Sequence, residues 1–146
     1  MKIAVDTNVL AYAEGVNGKA RRDETLTMLE RFARHEVVLP AQVLGELFAV
    51  LHRKAHRSAE NAKAALLGWT DAYRVIDTTS AIVLSAADLI GDHGLSFWDA
   101  VIVSAAAQEQ CRLLLSEDMH EGFTWRGTTI ANPYASTPHA LIQAFL

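Results

Sequence analysis

The chain has 146 residues, of which 51% are hydrophobic and 21% are charged, and its net charge is −4. This length and composition predict one globular domain over residues 1–146 and exclude a long disordered tail. The negative charge excludes a broadly basic surface that coats nucleic acid, although a local basic patch or a bound metal ion could still hold phosphates. Cys111 is the single cysteine, so no intramolecular disulfide can form. With no signal peptide or transmembrane segment evident, we expect a cytoplasmic protein without membrane contact.

Short β-branched or leucine-rich runs alternate along the chain with longer helical patterns. The short runs predict five strands, at residues 2–5, 36–40, 74–77, 111–116 and near 128–132. The longer patterns predict helices at residues 21–35, 41–57, 58–73, 80–94 and 96–110. This alternation predicts an α/β fold in which helices cover both faces of a five-stranded, mainly parallel central sheet.

Isolated acidic residues stand out in this pattern. Asp6, Glu46 and Asp99 are each the only charged residue in a long apolar run, and Asp118 follows the fourth predicted strand. Asp6 directly follows the first strand, Glu46 lies about one and a half turns into the helix after the second, and Asp99 lies in the first turn of its helix. If the strands are parallel, all four acids belong to the carboxyl edge of the sheet, where ligands bind in such folds.

Four carboxylates in one half-buried cleft repel one another and raise each other's pKa. A hard divalent cation such as Mg²⁺ or Mn²⁺ removes this conflict, because it prefers oxygen ligands and takes a few carboxylates beside water or substrate phosphate. Such an ion activates a water molecule and stabilises the charge on a phosphoryl group during an in-line displacement. The pattern therefore favours metal-dependent chemistry on a phosphoryl group.

Structural roles also explain three of the acids when each is considered alone. Asp6 could cap the helix that follows it, Ser96 and Asp99 form the S-x-x-D start of a helix, and Asp118 could cap a turn. Glu46 lies too far into its helix to cap it, at the border of the apolar stripe. That all four acids have separate structural roles is less expected than that they share one site, so the sequence favours a shared site.

In this order, the acids and their surroundings resemble the motifs of PIN-domain nucleases, most closely those of the VapC-type toxins of bacterial toxin–antitoxin pairs. VDTNVL is similar to the family's strand-end D-[ST]-[NS] motif, and LGELFAVL is similar to its helix with a central glutamate. GLSFWDAVIVSAA resembles the family's Ser-x-x-Asp-Ala helix start, and LLLSEDM resembles its strand that ends in [ST]-x-D. The resemblance covers essentially the whole chain and implies a PIN-like α/β/α sandwich.

Carried over residue by residue, the resemblance implies catalytic and metal-binding roles for Asp6, Glu46, Asp99 and Asp118. It also implies Mg²⁺- or Mn²⁺-dependent cleavage of RNA by attack of an activated water on the phosphodiester. A homodimer and a small antitoxin protein that blocks the acidic pocket are further implications. Two alternatives stay open: a PIN-type RNA-processing nuclease without a toxin role, and a non-catalytic binding module with an acidic pocket.

Further residues near these motifs have predicted supporting or substrate-binding roles. The resemblance implies that Asn8 and Ser116 are supporting polar residues, and the neighbouring Glu117 could replace or join the four acids. Arg53 and Arg57 fall on nearly the same helical face as the glutamate of their helix. They could guide an RNA backbone toward the acids through phosphate contacts, or they could form an ordinary exposed basic face.

Two other features favour structural explanations. His52 and His56 have the i, i+4 spacing of a metal-binding pair, but no third ligand is evident and an exposed polar face is the favoured interpretation. Residues 139–146, HALIQAFL, form a short amphipathic stretch that we expect to pack on the body of the domain.

Overall fold

The computed structural model describes all 146 residues as a central sheet with helices on both faces. The sheet has six strands: β1 (Lys2–Val5), β2 (Glu36–Pro40), β3 (Arg74–Ile76), β4 (Leu113–Leu115), β5 (Thr124–Trp125) and β6 (Thr128–Ala131). Their spatial order is β3-β2-β1-β4-β6-β5. All neighbouring pairs are parallel except β5 and β6, so the predicted α/β architecture and the mainly parallel sheet are confirmed.

The predicted strand number of five is wrong, because β5 adds a sixth strand at one edge. β5 has only two residues and pairs antiparallel with β6. Arg126 and Gly127 join them with φ angles of 46° and 89°, the left-handed backbone of a tight hairpin turn. Two residues cannot show an alternating apolar pattern, and arginine is not a typical turn residue at positive φ, so the sequence carries no clear signal for this strand.

Seven α-helices surround the sheet: α1 (Thr7–Ala13), α2 (Lys19–Arg31), α3 (Ala41–Ala49), α4 (Ala59–Ala72), α5 (Ser80–His93), α6 (Phe97–Gln108) and α7 (Ala140–Phe145). α1 was not among the helices predicted from the pattern, although Asp6 does cap it. α7 packs through its buried Ile142 and Phe145, which confirms the expected docking of the C-terminal stretch. None of these helices combines the length and apolar character needed to cross a bilayer.

The single helix predicted over residues 41–57 is wrong in its second half. After α3 the backbone widens into a π turn over Val50–Lys54, in which the Ala55 N–H donates to the Val50 carbonyl oxygen at 3.1 Å. His56 then takes a φ of 56° and ends the helical path before Ser58 caps α4. Because each π turn holds more residues than an α turn, side chains from Val50 onward point in directions that a regular helix would not give.

The hydrophobic core lies around the centre of the sheet. β1 and β4 are fully buried from Ile3 to Val5 and from Leu113 to Leu115, and α6 is buried along its whole middle, from Ala100 to Ala106. The small alanines of α6 allow its neighbours to approach closely, which suits a helix surrounded by other elements. Asp99 directly precedes this buried segment, so the packing of α6 fixes where the Asp99 carboxylate emerges at the edge of the sheet.

Candidate functional site

All four predicted carboxylates line one cavity of about 340 Å³ at the carboxyl ends of β1 and β4. Asp6 follows β1, Asp118 lies beyond the end of β4, and Glu46 and Asp99 come from α3 and α6. The parallel order of the central strands therefore brings together acids that are far apart in the sequence. The structure confirms that the four acids belong to the same edge of the sheet.

Asp6 is the buried member of the group and has two structural functions at once. Its Oδ1 accepts a hydrogen bond of 2.7 Å from the Thr7 N–H, which caps α1, and its Oδ2 accepts one of 2.7 Å from Ser116 Oγ. Burial, with smaller contributions from the nearby Asp99 and Glu46 carboxylates, raises the pKa of Asp6 to about 6, against the lowering effect of these hydrogen bonds. Keeping Asp6 charged therefore costs free energy unless a positive charge enters the cavity.

Asn8 and Ser116, the predicted supporting polar residues, form hydrogen bonds to two of the acids. The Asn8 amide nitrogen lies 3.1 Å from Asp6 Oδ2 and 3.2 Å from Asp118 Oδ2, so one side chain connects both strand ends. Its amide oxygen accepts the Glu117 N–H at 3.2 Å, and Ser116 Oγ accepts the Met119 N–H at 3.2 Å. These bonds fix the loop after β4 relative to the start of α1.

Glu117 is directed away from the four acids. Tyr12 Oη donates to Glu117 Oε1 at 2.6 Å, and Glu117 does not line the cavity, whereas Asp118 does. The bond to Glu117 is the largest of the effects that raise the pKa of Tyr12 to about 12. The geometry thus favours Asp118 over Glu117 as the fourth acid.

Glu46 in the second turn of α3 and Asp99 in the first turn of α6 both line the cavity. Thr7 Oγ1 donates to Glu46 Oε2 at 2.5 Å, which fixes the Glu46 carboxylate beside the first residue of α1. The Asp99 N–H donates to Ser96 Oγ at 3.3 Å, so the predicted S-x-x-D helix start is present. Burial raises the pKa of Asp99, and the Glu46 and Asp118 carboxylates raise it further. The capping role and the site role are therefore compatible at this position.

The structure corrects the prediction that Arg53 and Arg57 contact RNA, because the helix that would present them is interrupted. Arg57 is not directed at the acids, because its guanidinium binds Glu14, with Nη1 2.7 Å from Oε1 and Nη2 2.8 Å from the backbone oxygen. Arg53 is exposed and does not line the cavity. The only cationic side chain in the lining is Lys54, which the regular helical pattern did not single out.

The two histidines of this segment do not form a metal-binding pair. His52 Nδ1 lies 2.9 Å from the Arg57 carbonyl oxygen, and His56 lies beyond the last helical residue. Both side chains are exposed. These positions agree with the favoured interpretation, which is that the two histidines belong to an exposed polar surface.

The chemistry of the cavity fits a hard divalent cation. Its charged lining consists of four carboxylates and one ammonium group, and two of the carboxyl groups have raised pKa values. No three acidic, histidine or cysteine side chains converge closely enough to chelate an ion by themselves. Mg²⁺ does not need such a cage, because it keeps several water ligands and is held through one or two carboxylates plus substrate phosphate.

Comparison with protein families and curated proteins gives one match. The model of the PIN domain matches residues 3–120, a range that contains all four carboxylates of the cavity. A search of curated proteins finds no match.

Three solved structures show the same fold at low sequence identity. VapBC2 from Rickettsia felis, bound to a DNA fragment from its promoter, has a TM-score of 0.69 at 20% identity, over 90% of this chain and 98% of that one. VapC20 from Mycobacterium tuberculosis, a sarcin-ricin loop cleaving toxin, has 0.63 at 23%, over 77% and 86%. A toxin–antitoxin complex from Klebsiella pneumoniae has 0.65 at 19%, over 87% and 95%.

Proposed function

The chain belongs to the PIN domain family, and from this membership we propose that it is a metal-dependent endoribonuclease and the toxin of a toxin–antitoxin pair. The observation that carries the proposal is the gathering of Asp6, Glu46, Asp99 and Asp118 around one cavity. The solved structures of similar fold, which include a toxin–antitoxin complex and a sarcin-ricin loop cleaving toxin, support the choice of toxin over RNA-processing enzyme. The proposed partners are therefore an RNA substrate and a small antitoxin that covers the cavity.

In this proposal one or two of the four carboxylates would hold Mg²⁺ or Mn²⁺ together with water and substrate phosphate, and the neighbouring polar groups orient these carboxylates. When bound, the cation would supply positive charge for the substrate phosphate and would make a water molecule easier to deprotonate. Thr7 fixes the Glu46 carboxylate, and Ser116 fixes that of Asp6. One carboxylate of the group accepts the proton of the attacking water. The water oxygen forms the new bond to phosphorus, the P–O bond to one ribose breaks, and the departing ribose oxygen takes a proton from solvent, so hydrolysis needs no covalent intermediate with the protein.

Purified protein is expected to cut RNA only when a divalent cation is present. The measurement is gel analysis of a panel of structured RNAs incubated with Mg²⁺, with Mn²⁺, and with excess EDTA. Cleavage should disappear in EDTA and return when Mn²⁺ is added in excess over the chelator, because the acids alone repel both each other and the phosphate. Equal cleavage in excess EDTA would contradict the mechanism.

Production of the chain alone in a bacterial host is expected to slow growth, and a small protein encoded beside it should restore growth. The control is the Asp99→Asn chain produced at the same level, which should leave growth unchanged because it lacks one acid of the cavity. Unimpaired growth while the wild-type chain accumulates in soluble form and cuts RNA in vitro would favour the RNA-processing nuclease. Unimpaired growth without cleavage would favour the non-catalytic module.

We extend the proposal to a homodimer located in the cytoplasm. The homodimer is supported by large exposed apolar side chains on α5 and α6, two helices that pack against each other. Leu84 of α5 is 69% exposed, Val83 of α5 is 36% exposed and Trp98 of α6 is 54% exposed. Exposed apolar side chains on neighbouring helices are candidates for a surface that another protein covers.

A further inference from the structure

We propose that Lys54 binds a phosphate of the RNA backbone at the mouth of the acidic cavity, an inference that rests on the proposed function. Lys54 is the only cationic residue in the lining of the cavity that also contains the four carboxylates. Its position depends on the π turn, its side chain is unpaired, and its charge has the sign that an RNA phosphate needs.

The π turn selects Lys54 over Arg53. In a regular α-helix, a residue seven positions after Glu46 lies within about 20° of its face, and a residue eight positions after it lies about 80° away. A continuous helix would therefore direct Arg53, and not Lys54, toward the acids. The wider turn over Val50–Lys54 changes this direction, and Glu46, Val50 and Lys54 all line the cavity while Arg53 does not. π turns of this kind are frequent at functional sites.

Contacts outside the cavity hold the segment that carries Lys54. Arg57 binds Glu14 at the end of α1, and Trp69 Nε1 of α4 donates to the second Glu14 carboxylate oxygen at 3.0 Å. His52 in turn contacts the Arg57 carbonyl oxygen. The backbone around Lys54 is thus connected to both α1 and α4, and its flexible side chain extends from a fixed base.

The Lys54 ammonium group is free to bind a ligand. Other cationic side chains of the protein form ion pairs, among them Lys2 with Glu109 and Arg57 with Glu14, but Lys54 forms none. Its side chain also makes no hydrogen bond and is exposed. An exposed lysine beside four carboxylates that pairs with none of them keeps all three of its donors for a substrate oxygen.

Electrostatics explains why such a cation belongs at this position. An RNA phosphate that approaches four carboxylates is repelled, and a positive charge at the mouth of the cavity reduces this barrier. A lysine ammonium suits the task because it acts as a compact point charge that binds phosphate without requiring one orientation. Such a contact positions the backbone and carries no sequence information, so it should act on any single-stranded RNA.

The test compares Lys54→Gln with Arg53→Gln, a matched loss of one adjacent charge outside the cavity. Both substitutions are made in the Asp99→Asn variant, so that the RNA probe is not cut. Binding of a short fluorescein-labelled RNA of mixed sequence is then measured by fluorescence anisotropy in Mg²⁺ at several salt concentrations. Lys54→Gln should raise Kd about tenfold and lower the slope of log Kd against log salt by about 0.7, as expected for one lost phosphate contact on a single strand. Lys54→Arg should restore most of the affinity, and Arg53→Gln should change Kd by less than about twofold.

Cleavage kinetics without the Asp99 substitution provide the second readout. Lys54→Gln should raise KM about tenfold and leave kcat unchanged, because the contact exists both before and during the reaction. Thermal melts should show that both single variants fold like the wild type, since neither side chain is buried.

The outcomes separate this inference from the proposed function. If the wild type cuts RNA but Lys54→Gln and Arg53→Gln have the same Kd and salt slope, the proposed role of Lys54 is wrong and the nuclease function stands. RNA binding without cleavage, still weakened by Lys54→Gln, overturns the nuclease and supports the RNA contact. A wild type that neither binds nor cuts RNA overturns both.

Discussion

Asp99→Asn is expected to lower the rate of RNA cleavage by about 100-fold or more without unfolding the protein. Loss of a residue that merely supports a metal ligand already costs roughly 10–100-fold in activity, and Asp99 is itself one of the proposed ligands. Asparagine has nearly the same shape, and the capping bond at this helix start comes from the Asp99 backbone N–H to Ser96 Oγ, so the substitution removes charge and little else. The measurement is kcat/KM on one cleaved RNA in Mn²⁺.

Thermal melts of the same variant separate a metal role from a capping role. In EDTA the variant should be at least as stable as the wild type, because burial, and then the Glu46 and Asp118 carboxylates, raise the pKa of Asp99 and make its negative charge unfavourable. With Mn²⁺ at 100 times its Kd, the wild type should gain about 2.7 kcal/mol by mass action, and the variant much less. Asp88→Asn, at an exposed position of α5, is the control and should gain as much as the wild type.

The opposite pattern would show that Asp99 only stabilises the start of its helix and does not bind metal. In that case the variant would be less stable than the wild type in EDTA, by a few tenths to about 1 kcal/mol for the lost interaction with the helix dipole. It would also gain the same stability from Mn²⁺ as the wild type. Activity close to that of the wild type would complete this pattern.

The sequence could predict the acidic site because its signals are local and independent of detailed packing. A charge directly after a buried strand, as at Asp6, or alone in an apolar helix, as at Glu46, is unfavourable without a function. The parallel order of strands then places such residues at one edge of the sheet. Capping and a place in the site are compatible at both Asp6 and Asp99. The capping bond at Asp6 uses Oδ1 and not all the acceptor sites of the carboxylate, and the one at Asp99 uses its backbone N–H and not its carboxylate.

The sequence could not predict the path of the chain after α3, because that path depends on tertiary contacts. Helical periodicity assumes 3.6 residues per turn, and the residues of 50–54 contain no proline or glycine that would announce a break. The π turn is accompanied by a long-range pairing between Arg57 and Glu14, which lie 43 positions apart. The same limit explains why the regular helical pattern favours Arg57, and not Lys54, as an RNA contact.

The metal-free protein is expected to become more stable as the pH falls from 7 to 5, and Asp6 should be the main cause. Its pKa is raised from 3.8 to about 6 in the folded state, so between these values the folded protein binds more protons than the unfolded chain. Stability therefore falls as pH rises through this window. The shift corresponds to about 3 kcal/mol lost at pH 7, of which about 1 kcal/mol should be regained by pH 5. The raised pKa of Asp99 acts in the same direction.

Urea unfolding of wild type and Asp6→Asn, in EDTA at pH 7, 6 and 5, measures this effect. Asparagine cannot titrate, so the variant should lose most of the rise in stability toward pH 5, whatever constant cost it carries from altered hydrogen bonds to Ser116 and Asn8. All other titrating groups are shared by the two proteins, and the difference between their pH profiles isolates Asp6. Saturating Mg²⁺ should reduce or reverse the slope of the wild type, because a bound cation favours the carboxylate over the acid. If the stability of the two proteins in EDTA changed with pH in the same way, the charged Asp6 carboxylate would not be destabilising. The electrostatic reason for a cation in this cavity would then be lost.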